Sequence, residues 1–262
     1  MSEIPSTPRT TRLADHVADA FKEGGALARS LKIFEQRHSQ TEMSTAVADI
    51  LDDGGILIAE AGTGIGKTLA YLVPIILSRK RVLISTGTKN LQEQIYFKDL
   101  PALQEALGVT FTSTYMKGRA NYLCLHRFEA QYQNPTPRSA TDDAYLTTIK
   151  KWLAVTETGD RAELENIPED LPSWNDISAT NENCIGRECT QFEECFVTRM
   201  RQRASASDLV IVNHHLLCAD AAVRQSAYGE VIPTCDYAVI DEAHQLEEIA
   251  TQYFGLSVSN YR

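Results

Sequence analysis

Apolar and polar positions along the chain change period several times, and each change marks an element. Residues 13–31 mix apolar and charged positions at helical spacing, with Gly24-Gly25 as an interruption. Gly54-Gly55 then open residues 56–59, a run apolar at every position, which predicts a short strand of the parallel-sheet kind, covered on both faces. A glycine-rich turn follows, and residues 67–78 return to a helical period. A second unit repeats the alternation, with 81–85 predicted as strand, 89–97 as helix and 109–113 as a third strand. From about residue 116 to 206 the apolar period weakens, and proline and asparagine accumulate in NPTPRSATDD and NIPEDLPSWND. Residues 209–212 and 237–240 then resume as buried strands. The pattern predicts an α/β domain with a parallel sheet, interrupted by an insertion of roughly ninety residues.

Composition narrows the class. A chain of 262 residues, 43% hydrophobic and 23% charged, can form one large or two modest globular domains. Its longest unbroken apolar stretch, residues 69–77, is too short to cross a bilayer and contains Pro74. Residues 1–12 lack the apolar core of a secretory signal and are expected to be a disordered tail, so a cytoplasmic location is expected. The net charge of -10 argues against general adhesion to nucleic acid, yet recognition needs only a local basic path. Lys117, Arg119 and Arg127, then Arg199, Arg201 and Arg203, are the candidates; solvated helix faces are the alternative.

Residues 61–68 read AGTGIGKT, preceded by the predicted strand and followed by the predicted helix. In Ala61, Gly62, Thr63, Gly64, Ile65 and Gly66 the glycines let successive N–H groups turn toward phosphate oxygens. Lys67 supplies a point charge for the β- and γ-phosphates, and the Thr68 hydroxyl is placed to ligate Mg²⁺. The loop departs from the usual pattern only in having Ala61 at its first position. Residues 237–242, YAVIDE, end an apolar run in two acids. Asp241 would complete the Mg²⁺ site, and Glu242 would orient the attacking water. The rival reading of these acids is a helix N-terminal cap. Paired with the phosphate loop they point to ATP as ligand. His244 either couples this site to neighbouring segments or packs.

Cys124, Cys184, Cys189 and Cys195 form the pattern C-x59-C-x4-C-x5-C. Structural zinc usually shows C-x2-C knuckles, and thiolates on longer loops can hold an iron–sulphur cluster. Spacing leaves cluster, zinc and unrelated thiols open; disulfides are disfavoured where thiols are kept reduced. Cys218 and Cys235 read as small buried hydrophobes. Tyr115, Tyr122 and Phe128 interleave with the first basic cluster, as base stacking requires, or pack the insertion onto the main domain. Asn213-His214-His215 is read as a loop at the carboxyl edge of the sheet, because adjacent histidines point apart and share a metal poorly.

EAGTGIGKT (60–68), ISTGTKNLQEQ (84–94), KGRANYLC (117–124), the C-x4-C-x5-C series, VNHHLL (212–217) and DEAHQL (241–246) follow one another in this order. From about residue 33 onward the chain resembles the iron–sulphur superfamily 2 DNA helicases of the XPD/DinG group. The resemblance implies a RecA-like motor domain over 13–115 and 207–262, with a [4Fe-4S] domain inserted at 116–206 and Cys124, Cys184, Cys189 and Cys195 as cluster ligands. It implies that Arg37, Gln40 and Met43 sense the adenine base. It further implies that Thr86, Gly87 and Thr88 lie along single-stranded DNA, with Lys117 and Arg119 as further DNA contacts. The family moves 5′ to 3′ on single-stranded or forked DNA in repair or replication, alongside partner proteins. It also carries an arch and a second motor domain, for which 262 residues leave no room. The expectation is therefore the N-terminal half of an ATP-dependent DNA helicase. The alternative is an inactive half-motor that binds nucleotide, single-stranded DNA or a partner.

Overall fold

The structure is a computed structural model that describes residues 11–31, 34–62, 64–133, 140–168, 171–180, 183–225 and 230–256. Thr63 and residues 1–10 of the expected tail lie outside the described residues. The helices before the first strand are α1 (Leu13–Phe21), α2 (Ala26–Ser30), α3 (His38–Asp53) and α4 (Lys67–Ser78). Then come β1 (Val82–Thr86), α5 (Lys89–Gln94), a π-helical turn at Ile95–Asp99, α6 (Leu100–Leu107) and β2 (Ser113–Tyr115). The middle of the chain forms α7 (Leu125–Gln133), α8 (Ala140–Leu153), α9 (Pro172–Ile177) and α10 (Phe196–Ala206). The chain closes with β3 (Leu209–Asn213), α11 (His214–Gln225), β4 (Tyr237–Ile240) and α12 (Leu246–Phe254). Two compact units result: Met1–Tyr115 with Ser207–His214 and Thr234–Gln252, and Met116–Ala206 with His215–Pro233 and Tyr253–Arg262.

The first unit is built on a parallel sheet in the order β2-β3-β1-β4. Ile84 of β1 stands beside Ile211 of β3 and Val239 of β4. Every residue of β1 and β3 is buried, which is why each opens on an apolar run without alternation before its polar end at Ser85-Thr86 or Asn213. Parallel neighbours need long crossovers, and α1, α3 and α4 pack together to complete a core around Phe21, Leu51, Leu72, Ile75, Val82 and Ile211. Helix α4 passes through Pro74 without interruption, its middle wholly buried.

Three elements differ from expectation. Residues 56–59 carry no regular structure, and Ile56 and Ile58 are 90% and 93% exposed. Gly54 (φ 80°) and Gly55 (φ 117°) turn the chain as it leaves α3, so the run is apolar without being paired to the sheet. The helix predicted to stop at residue 97 continues through the wide π-helical turn to Leu107. The third strand begins at Ser113, where the residues before it are anchored instead by Asp208, whose carboxylate accepts the Thr112 N–H and hydroxyl at 2.8 Å each.

The second unit is helical, with isolated antiparallel bridges at Tyr122–Asp160 and Leu123–Ser178. Met116, Leu123, Ile149, Trp174 and Ile177 are buried in it. Gly159 (φ 65°) is needed twice over, for its left-handed backbone and because an added Cβ would fall on the Phe196 ring. Lys117 and Asp160, 2% and 1% exposed at their side chains, form an ion pair at 2.8 Å. No helix among the described residues is long and apolar enough to cross a membrane.

Candidate nucleotide site

The phosphate loop enters α4 through Gly64 (φ 82°) and Gly66 (φ 87°), two left-handed positions that explain the glycines. Its carbonyl groups are held from α3 and the residue before it. Gln40, 4% exposed, donates from Nε2 to Gly66 O at 3.0 Å, and the Arg37 guanidinium donates to Gly64 O while pairing with Glu35 at 2.9 Å. Arg37 and Gln40 thus brace the loop itself. Ala61 and Ile65 are half-buried and Gly62 is exposed, so the loop's outer face is open. The first N–H groups of α4 remain directed at that face, a favourable place for a phosphate.

The two sequence-distant motifs meet. Lys67 Nζ lies 3.0 Å from Glu242 Oε1, across 175 residues of chain. Tyr71, one turn beyond Lys67 and 2% exposed, donates its hydroxyl to Asp241 Oδ2 at 3.1 Å. Asp241 Oδ1 accepts the Glu242 N–H at 3.0 Å, and Asp241 N donates to Ser85 O at 2.8 Å, which hangs the acidic turn from the end of β1. Glu242 adopts φ 54°, ψ 45°, a left-handed conformation rare for a side chain with a Cβ. The Glu242 side chain makes no capping hydrogen bond to the turn that follows. Burial pushes the Tyr71 phenol well above its ordinary pKa, with the Asp241 charge adding to the shift. His244 Nδ1 lies 3.4 Å from Glu242 Oε2 with its side chain 70% exposed.

The Thr86-Gly87-Thr88 turn is largely committed internally. Thr86 is buried and its hydroxyl donates to Thr88 O at 3.1 Å; the Thr88 hydroxyl caps α5 by accepting Leu91 N–H at 3.2 Å. A Cβ on Gly87 would fall on the Gln245 side-chain amide, so the DEAH turn covers this glycine. Ser85 Oγ and His214 Nδ1 are 2.7 Å apart in the core. His214 opens α11, so Asn213-His214-His215 is a strand end and helix start and not a loop. Sequence reasoning missed Tyr71, Ser85 and Gln245. Only Tyr71 carried a signal: it stands four residues after Lys67, on the same helix face.

In the second unit the basic residues are mostly engaged. Lys117 is withdrawn into its ion pair with Asp160, which places its ammonium away from any surface path. Arg119 is half-buried. Arg127 donates to the carbonyls of Asp176 and Asn175 at 2.9 and 3.0 Å, Arg199 pairs with Glu194, and Arg203 donates to Glu157 O at 3.3 Å. Tyr122 is buried and accepts Lys117 N–H, and Phe128 is buried, so both rings serve packing and not an open stacking surface. Tyr115 packs edge-on against Tyr96 and Phe97 in the first unit.

Among the cluster candidates Cys184 is exposed and Cys124, Cys189 and Cys195 are half-buried. Burial pushes the Cys124 thiol up; the Arg127 N–H opposes this, and Cys195, Cys189 and Cys184 add smaller upward pushes, so all three lie within its electrostatic reach. As placed, no group of three or more His, Cys, Asp or Glu among the described residues stands close enough to hold a metal ion. Cys218 is buried as expected, whereas Cys235 is only half-buried, in the irregular segment before β4.

Residues 40–159 match the DEAD/DEAH box helicase family. The chain is 42% identical over 246 residues to the ATP-dependent DNA helicase YoaA of Escherichia coli (strain K12), covering 93% of this chain and 38% of that protein. It is 36% identical over 239 residues to the 3'-5' exonuclease DinG of Bacillus subtilis (strain 168), covering 88% and 24%. With the ATP-dependent helicase DinG of Mycobacterium tuberculosis (strain ATCC 25618 / H37Rv) it shares 35% over 238 residues, 82% and 35% of the two chains. The chain therefore spans between about a quarter and two-fifths of these relatives' length. The family match stops short of Asp241; in the structure Glu242 lies beside Lys67. This chain therefore carries a DEAD/DEAH box helicase domain and is similar in sequence, over most of its length, to YoaA and DinG.

Proposed function

We propose that the chain is the nucleotide-binding part of an ATP-dependent DNA helicase that moves 5′ to 3′ on single-stranded DNA. The observation that carries this reading is the meeting of Lys67 with Glu242 at 3.0 Å. The phosphates displace Glu242 from Lys67, whose ammonium then binds them together with the N–H groups that open α4. Thr68 and Asp241 would hold Mg²⁺, which would supply positive charge against the β- and γ-phosphates. Glu242, released from Lys67, is free to orient the attacking water. Arg37 and Gln40 keep the loop in its open curve by holding two of its carbonyls.

Cys124, Cys184, Cys189 and Cys195 would hold a [4Fe-4S] cluster, which supplies a rigid cross-link and a redox-active centre. The donor set supports this: four thiols within the second unit, one for each iron of a four-iron cluster. Single-stranded or forked DNA, with a repair or replication protein as partner, is proposed for the whole protein in the cytoplasm, with the second motor domain completing the cleft.

The test is equilibrium binding of a fluorescent adenine nucleotide to the 262-residue chain with Mg²⁺ present. Lys67→Ala should weaken binding at least about tenfold, since a charge-assisted contact to phosphate is worth about 1.5–3 kcal/mol. Undiminished binding by the variant would place the nucleotide elsewhere and end this reading.

A further inference from the structure

We infer that Tyr71 is the positioning residue of the Mg²⁺ site, fixing Asp241 through its phenol. The inference rests on the nucleotide-site reading above. Tyr71 Oη donates to Asp241 Oδ2 at 3.1 Å. A phenol has one proton, and here it is spent on Asp241. The Asp241 carboxylate is fixed at both oxygens, by Tyr71 at Oδ2 and by the Glu242 N–H at Oδ1.

The fold makes this arrangement specific to position 71. Residues 67, 68 and 71 lie on one face at the start of α4, so a side chain three or four residues beyond the loop's lysine and threonine stands beside them. Tyr71 is 2% exposed and belongs to the first unit's core, so its ring cannot swing away from Asp241 without opening that core. A rigid phenol on the helix that follows the phosphate loop thereby imposes one orientation on an acid from the far end of the sequence. Such outer-shell partners typically set metal affinity by about 10- to 100-fold.

Tyr71→Phe keeps the ring and removes only the hydroxyl. In the 262-residue chain, nucleotide binding would be titrated with Mg²⁺ and, separately, with Ca²⁺. The half-saturating Mg²⁺ should rise about tenfold or more, with nucleotide affinity in the absence of metal unchanged. The Ca²⁺ dependence should shift far less, because Ca²⁺ tolerates irregular oxygen geometry and Mg²⁺ demands a near-octahedral one. Equal shifts for both ions, or none, would overturn the inference. If wild-type binding itself ignores Mg²⁺, the failure belongs to the magnesium site and not to Tyr71. Should the variant lose its fold, 3-fluorotyrosine placed at position 71 gives an independent reading. Its fluorine resonance should move when Mg²⁺ is added to the nucleotide-bound chain; an unmoved resonance would equally overturn the inference.

Discussion

The buried ion pair of the second unit makes the sharpest demand on stability. Lys117 and Asp160 lie 2.8 Å apart with 2% and 1% of their side chains exposed, and Asp160 Oδ1 also accepts the Ala162 N–H at 3.0 Å. Asp160→Asn preserves the volume and that N–H acceptor, but it removes the carboxylate charge facing the buried Lys117 ammonium. Breaking one side of such a pair costs about 3–5 kcal/mol. With a urea dependence of about 1–3 kcal/mol per molar, the unfolding midpoint should fall by at least about 1 M. Both tryptophans, Trp152 and Trp174, belong to this unit, their rings 6.5 Å apart, so intrinsic fluorescence follows its unfolding directly. Distance alone would rank the Arg12–Asp53 bridge higher, at 2.6 Å, yet its side chains are 55% and 68% exposed. Asp53→Asn should therefore leave its own unit's stability, followed by circular dichroism, unchanged within error. Combining Asp160→Asn with Lys117→Met should recover most of the loss by removing the stranded charge. A midpoint shift below about 0.3 M for Asp160→Asn, under about 1 kcal/mol, would refute the reasoning.

Three further outcomes are expected. Glu242→Gln frees Lys67 from its internal partner and should tighten nucleotide binding by up to about fivefold, the worth of a partly exposed pair of about 1 kcal/mol, while hydrolysis by the whole protein is lost; weaker binding in a fluorescence titration would contradict the release of Lys67 by phosphate. Gly159→Ala should lower the melting temperature of the second unit by at least about 4 °C, combining left-handed strain with overlap on the Phe196 ring. Gly108→Ala, at φ 63° with open space around the added Cβ, carries the strain alone and should cost less in a parallel melt. Finally, Cys184→Ser removes an exposed thiol and should leave the iron-free protein's melting curve unchanged, yet abolish the brown absorption of anaerobically reconstituted protein; equal iron uptake by both proteins would remove Cys184 from the ligand set.

Patterning was legible along the sheet whether or not burial was complete. Helix α4 and strand β4 lie where the apolar period places them, although β4, expected as a buried strand, is half-buried with Ala238 exposed. The fully buried β1 and β3 are shifted by one residue at both ends and extended by one at one end, respectively. Residues 56–59 show the limit of that logic. Their run is as apolar as β3, but two glycines with positive φ precede it, and local backbone direction decides whether an apolar run is paired. Charge was legible only as composition. Lys117 counted as a member of a basic path until Asp160, 43 residues on, is seen to bury it, and no period in the sequence joins those two positions. The meeting of AGTGIGKT with DEAH was legible as chemistry, whereas the phenol that holds Asp241 was hidden inside an apolar helix where tyrosine passes for packing.

The left-handed backbone at Glu242 ties these observations to the way the site opens. A non-glycine residue in that conformation costs about 1–2 kcal/mol. Here the conformation aims two groups at once, the carboxylate at Lys67 and the N–H at Asp241 Oδ1. A partly exposed ion pair returns about 0.2–1 kcal/mol and the N–H bond about 1 kcal/mol, so strain and contacts nearly cancel. A turn held at so small a net free energy is easily moved by a phosphate that competes for Lys67. Once Glu242 is displaced, the Asp241 carboxylate is still held by Tyr71, which is braced in the core and has no share in the strained turn. The mobile acid and the fixed acid are adjacent in sequence, and what separates their behaviour is that only one of them is anchored to a buried ring.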